Sequence, residues 1–198
     1  MSRALLVIDV QESFRQRPSW ELISDPDVAG KAARLVDHAR AKGDLVVWVL
    51  HSEPGTGTVF DPELGYVRLQ PGLDPRPGEP VLTKTSHNAF TTTGLQQLLT
   101  ERGVREVVVS GIRTEQCCET TARLASDLGY RVTFVIDATA TNPIEHPEAP
   151  AGRSNAEILA DPRTLSVEDV LTRTEYALAG RFATVVRVDE LTGAPVTA

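Results

Sequence analysis

Short, almost purely apolar runs alternate with helix-periodic segments from one end of the chain to the other, and this alternation restricts the fold more than any other feature. Ala4-Leu5-Leu6-Val7-Ile8 is an unbroken apolar run, residues 45–50 read Leu-Val-Val-Trp-Val-Leu, and residues 104–110 are rich in valine. A strand with one wet face alternates apolar and polar residues, whereas a strand covered on both faces need not. Further strands are read at 80–83, 131–136 and 183–188. Between them lie helical patterns. Residues 28–42 carry Ala32, Leu35, Val36 and Ala39 on one face and stop at Gly43; segments 95–102, 117–128 and 170–179 each end before a glycine. Strands alternating with helices are joined by right-handed crossovers into a parallel sheet with helices on both sides. The expected fold is α/β: three layers, doubly wound, around a six-stranded, mostly parallel sheet of order 3-2-1-4-5-6. With no internal repeat and no boundary signal, residues 1–198 read as one domain, long enough to bury a substantial core.

Charge and cysteine usage narrow the partners. A net charge of −7 disfavours nucleic acid and anionic membranes as partners. No apolar run approaches the roughly 20 residues that cross a bilayer. The N-terminus reads as a first strand rather than a signal peptide, so a cytoplasmic location is expected. The two cysteines are neighbours, Cys117 and Cys118. Adjacent Cα atoms lie about 3.8 Å apart, and disulfides usually want at least about 4.4 Å. A reduced compartment follows. Two stretches are irregular. Residues 53–79 are rich in Gly and Pro and include Phe60 and Tyr66, and we read them as a substrate-side loop. Residues 142–162 carry four prolines, and a lid, an oligomer contact and a mobile insert are all open readings.

In open α/β sheets, ligands bind beyond the carboxyl ends of the strands. Asp9 stands at the end of the first strand, Lys84 just after the third, and Cys117 opens the helix after the fourth. Singly, each has an ordinary reading: a turn-capping Asp, a solvated loop Lys, a packed Cys. Together they converge on one edge. Lys84 also stands out by composition, since the chain has only three lysines among its 20 basic residues. A helix N-terminus and an ammonium both favour a thiolate, so Cys117 is expected to have a lowered pKa. Cys118 lies on the apolar stripe of the same helix and reads as core.

Three segments carry a resemblance: Val7-Ile8-Asp9-Val10-Gln11; Thr83-Lys84 leading to Asn88-Ala89-Phe90; and Gly111-Ile112-Arg113-Thr114-Glu115-Gln116-Cys117-Cys118-Glu119-Thr120-Thr121-Ala122. In order and spacing they resemble the isochorismatase-like cysteine hydrolases, which include nicotinamidases, N-carbamoylsarcosine amidohydrolases and related amidases. The resemblance implies Cys117 as nucleophile, Asp9 as its base and Lys84 as the third catalytic group. It also implies a cis peptide before Arg113, an oxyanion hole from the backbone N–H groups of Arg113 and Cys117, and a homo-oligomer, dimer or tetramer. The implied partner is a small-molecule substrate, and the implied activity is cleavage of an amide, carbamoyl or lactam C–N bond through a thioester.

Two departures matter. Nicotinamidases bind a metal through an Asp-x-His segment plus another His, but this chain has His51-Ser52-Glu53 at that place. A metal held by His51, Glu53 and His87 competes with structural or substrate-facing readings of each, and no metal or cofactor is expected. Arg113 stands where the resemblance implies a small residue; it either selects an anionic or carbonyl-rich substrate or points to solvent. Gln11, Phe14, Trp20, His51, Phe60, His87, Phe90 and Arg113 are the candidate pocket residues, with core packing the alternative for the aromatics.

Other classes explain less. Vinyl-ether hydrolysis, as in true isochorismatases, has no use for Cys117. Phosphoryl transfer of the haloacid-dehalogenase type needs a second Asp where Gln11 stands, and no Gly-rich phosphate loop follows a strand. A thiol-redox protein leaves Asp9 and Lys84 without a task, and so does a catalytically silent binding scaffold.

Overall fold

The computed structural model describes residues 3–193; residues 1–2 and 194–198 of the expected 1–198 domain lie outside the described residues. Six strands, β1 (Arg3–Ile8), β2 (Leu45–His51), β3 (Val81–Lys84), β4 (Glu106–Ile112), β5 (Arg131–Ala140) and β6 (Thr184–Val186), form one sheet of order β3-β2-β1-β4-β5-β6. Every pairing in it is parallel, rather than mostly so.

The continuous apolar strands follow from burial on both faces. Ala4, Leu6 and Ile8 pack with Leu95, Leu99, Ala122, Ala125 and Leu178 on one side. Leu5 and Val7 pack with Val28, Ala32, Leu35, Val36 and Val188 on the other. The covering helices are α2 (Val28–Lys42) and α7 (Val188–Thr192) on the second face, and α3 (Leu95–Glu101), α4 (Glu119–Asp127) and α6 (Val167–Leu178) on the first. Each buried Leu, Val or Ile contributes about 1.5–3 kcal/mol, so both stripes are needed to hold the sheet. Trp48 is fully buried on β2, yet its indole N–H is satisfied by Glu79 at 2.9 Å. Glu79 also accepts from Arg40 at the end of α2, at 2.7 and 2.9 Å.

Several boundaries differ from the sequence reading. Strand β4 starts at Glu106 and runs to Ile112, and β5 runs on to Ala140 through an irregularity in its pairing with β4. The last strand is cut to Thr184–Val186 because α7 begins at Val188. The short helix α5 (Asn155–Ala160) stands in the segment read as irregular, and the short helix α1 (Glu12–Arg15) is an element additional to those read from the sequence. Helix α6 begins at Val167, three residues before the expected start, under a Ser166–Asp169 capping box; Ser154 and Glu157 form the same box for α5.

Candidate active site

The ends of β3, β2, β1 and β4 bring four side chains together. Asp9 follows β1 at φ 55°, a left-handed conformation uncommon for any residue but glycine. Lys84 is the last residue of β3, and His51 the last of β2, in register with it. Near the end of β4, Gly111 has φ 137°, and a Cβ there would lie 1.9 Å from the Ile8 carbonyl oxygen. Glycine is the residue that lets β4 approach β1 at this point. The Ile112–Arg113 peptide is cis. A π-helical turn, Thr114–Cys118, then carries Cys117 into α4. Cys117 therefore sits at the end of that turn, not at the free start of a helix, which corrects the sequence reading.

Lys84 Nζ is the hub. It lies 2.8 Å from Asp9 Oδ2, 3.4 Å from Cys117 Sγ and 3.3 Å from His51 Nδ1. Both Asp9 and Lys84 are fully buried. A charge taken that far from water needs a partner, and each supplies the other's. Neither Asp9 oxygen has a well-directed hydrogen bond among the described residues, although Cys117 is close enough to share a proton with it.

Burial pushes the Asp9 carboxyl above its usual range, against the pull of Lys84. For Lys84, burial lowers the pKa but the charges of Asp9 and Cys117 outweigh it, and the ammonium is held above its usual value. Burial pushes the Cys117 thiol up to about 12, helped by the Asp9 charge and only partly countered by Lys84. This reverses the lowered value expected from a helix terminus and a cation: desolvation and the carboxylate win. Burial and Lys84 together lower the pKa of His51. Its Nδ1 accepts from Lys84, so its Nε2 carries the proton, facing Glu53 Oε1 at 3.3 Å.

Polar threads hold these pieces in place. Thr121 Oγ1 donates to the Cys117 carbonyl at 2.6 Å and accepts from Ala89 N–H at 3.0 Å, tying the nucleophile's turn to the loop after β3. Thr114 Oγ1 donates to Thr139 on β5 at 2.9 Å. Gln11 is fully buried; its carboxamide binds both backbone polar groups of His51 and reaches Ser13 Oγ at 2.9 Å.

The remaining pocket candidates divide. Phe14 and Phe60 meet edge to face at 5.0 Å, and His51 packs on Phe60 at 5.6 Å. Trp20, half-buried, packs against the same cluster. Phe90 is buried in the other core layer, against Tyr130 at 6.2 Å, and Gln11 is committed to backbone; neither presents a pocket surface. His87 is exposed, and among the described residues no three His, Cys, Asp or Glu side chains are grouped to hold a metal. Cys118 is fully buried and its thiol pKa is raised strongly by burial.

Two cavities flank this edge. One, of about 250 Å³, is lined by Arg17, Arg113, Gln116, Asn142, Ile144 and Ile158. The other, of about 380 Å³, is lined by Arg17, Pro18, Glu53, Thr58 and Phe60. Arg17, shared by both, was not singled out in the sequence. The segment 142–162 closes the first: Asn142 donates to Ser19 O at 2.6 Å, and Asn155 to Pro18 O at 3.2 Å. A further cavity, of about 510 Å³, lies between α2, β5 and α6, and none of the three is lined by Asp9, His51, Lys84 or Cys117.

Streptothricin hydrolase of Streptomyces noursei is 40% identical over 149 residues, covering 75% of this chain. This chain spans only 57% and 52% of the lengths of the two streptothricin hydrolases it matches. The isochorismatase-family protein YddQ of Bacillus subtilis, itself uncharacterized, is 34% identical, covering 93% of this chain and 96% of its own. The crystal structure of an isochorismatase from Pseudomonas putida superposes with a TM-score of 0.81 at 30% identity, over 95% of this chain and 89% of that one. The family model described as the isochorismatase domain matches residues 3–162, and this chain belongs to the isochorismatase family.

Proposed function

We propose that the protein is a cysteine hydrolase that cleaves an amide, carbamoyl or lactam C–N bond of a small molecule through a thioester on Cys117. The observation that carries the reading is the position of Lys84 Nζ, 2.8 Å from Asp9 and 3.4 Å from Cys117 Sγ in a water-excluded site. With its pKa near 12, the thiol rests protonated, so its proton leaves during attack and not before. Asp9, a stronger base than an exposed carboxylate because its pKa is raised, accepts that proton as sulfur bonds to the carbonyl carbon. The carbonyl electron pair moves to oxygen, where the N–H groups of Arg113 and Cys117 receive it. Collapse breaks the C–N bond, and Asp9 returns the proton to the departing nitrogen. Water then gives its proton to Asp9 and attacks the thioester; the C–S bond breaks and the sulfur is reprotonated. Lys84 stays charged throughout and stabilises whichever of the two partners is anionic.

The streptothricin hydrolase relative supports hydrolysis, and a nucleophilic cysteine favours C–N over vinyl-ether cleavage. A homo-oligomer in a reducing, cytoplasmic compartment goes with this reading, on family resemblance and two free thiols. The test is a screen run beside Cys117→Ser, over small primary amides and ureas by ammonia release and over lactams by the appearance of the ring-opened amino acid. Turnover by wild type alone is expected; wild-type silence across all three classes, or full activity in the variant, overturns the proposal.

A further inference from the structure

Arg113 and the exposed Arg17 line one cavity, and neither side chain has a hydrogen-bond or ion-pair partner among the described residues. This contrasts with Arg3, Arg40, Arg123, Arg153 and Arg173, each paired with a carboxylate. Arg113 is half-buried, and burial lowers its pKa; the charge of Glu115 opposes this in part, while Arg17 adds like-charge repulsion. A desolvated cation beside a second cation is unfavourable unless an anion joins them.

The cavity's own carboxylates do not fill that role. Glu145, on its wall, is engaged by Arg153 at 2.8 and 2.9 Å. Glu115, whose charge also reaches Arg113, has one oxygen taken by Thr141 Oγ1 at 2.5 Å and forms no salt bridge to Arg113. The space left beside the two arginines is about 250 Å³, enough for a small acidic group. Its wall includes Arg113, which precedes the π-helical turn Thr114–Cys118, and Gln116, the neighbour of Cys117 in that turn.

We propose that this cavity binds a carboxylate of the substrate between Arg113 and Arg17, so that the scissile amide belongs to an anionic molecule. Guanidinium forks suit carboxylates because two parallel N–H groups meet two oxygens. The inference rests on the hydrolase reading for its orientation toward Cys117, but it can be tested without any turnover.

The probe is a pair of nearly isosteric alkylating agents, iodoacetate and iodoacetamide, with the rate at Cys117 followed by peptide mass spectrometry. The quantity read is the ratio of the two rate constants, in which Lys84 and the reactivity of the thiol are common to all variants. The ratio is expected to fall about tenfold in Arg113→Gln, to fall less in Arg17→Gln, and to be partly kept in Arg113→Lys, as loss of one charged hydrogen bond dictates. An unchanged ratio in Arg113→Gln overturns the carboxylate site while leaving amide hydrolysis untouched. If neither reagent reaches Cys117, the thermal shift of Cys117→Ala with millimolar succinamate against succinamide decides. Stabilisation by the anion alone supports the site, and equal or absent shifts reject it. A charge-dependent ratio in a protein that hydrolyses no amide would keep the site and sink the hydrolase reading instead.

Discussion

The carboxamide of Gln11 is bound to both sides of His51: Oε1 accepts the His51 N–H at 2.7 Å, and Nε2 donates to the His51 carbonyl at 3.0 Å. A side chain thus continues the β1–β2 ladder past the end of β1, where the main chain turns away at Asp9. It fixes the spacing between Asp9 and His51, the two groups on either side of Lys84.

Gln11→Leu should therefore cost both stability and activity. It leaves the His51 N–H and carbonyl without partners in a buried place, a loss of about 2–4 kcal/mol. Urea unfolding measures the first effect, and kcat/KM in the folded variant the second. A loss under about 0.5 kcal/mol would mean the clamp is idle.

Lys84→Arg should fold and yet be nearly inactive. The ammonium touches a carboxylate, a thiol and an imidazole from one point, whereas a guanidinium is planar and wide. Displacing one partner by about 1 Å costs roughly a hundredfold in rate. The check is kcat/KM beside a thermal melt, and a well-folded variant with most of its activity would remove Lys84 from the catalytic set.

Cys117 and Cys118 should be separable despite being neighbours. Rapidly quenched enzyme with a working substrate should carry its adduct on Cys117, since Cys118 is fully enclosed and its thiol is held neutral. Cys117→Ala should abolish turnover, while Cys118→Ala keeps the fold and loses about 1 kcal/mol from the cavity it leaves. Mass spectrometry of the peptide places the adduct; one found on Cys118 would refute the assignment.

Acid should weaken the fold through Glu79. Burial pushes this carboxyl up, but Arg40, the Arg76 N–H and the Trp48 indole outweigh it and hold the pKa at about 2, against an ordinary 4.5. The folded state thus binds this proton more weakly than the unfolded chain. Its contribution is present in full above about 4.5 and is lost as the pH falls toward about 2. Glu79→Gln should melt lower at neutral pH and show a flatter decline across that window. Melting curves from pH 2 to 6 would show it.

The strand order and the convergence of Asp9, Lys84 and Cys117 were legible because unbroken apolar runs and strand-end positions survive in a linear sequence. The capping boxes at Ser154 and Ser166, each a Ser followed three residues later by Glu or Asp, are the signal that the sequence reading passed over, and they mark the helix starts at Asn155 and Val167. The direction of the Cys117 pKa was not legible: it depends on how deeply Asp9 is buried beside the thiol, and depth has no local signature. The partnership of Arg17 with Arg113 was hidden for a related reason. Residues 96 positions apart share a cavity only because segment 142–162 folds over the turn at Pro18–Leu22.

Four neighbouring strands each deliver one group to the edge of the sheet: Lys84 from β3, His51 from β2, Asp9 from β1 and Cys117 beyond β4. Side chains alternate between faces along a strand, so a slip of one residue in any pairing would turn its group away from the other three. A chain trapped with a shifted strand can look folded by circular dichroism and still have no assembled centre. During refolding, recovered activity therefore counts only molecules that have aligned all four strands, and it should lag behind the return of secondary structure by the time misaligned chains need to correct themselves.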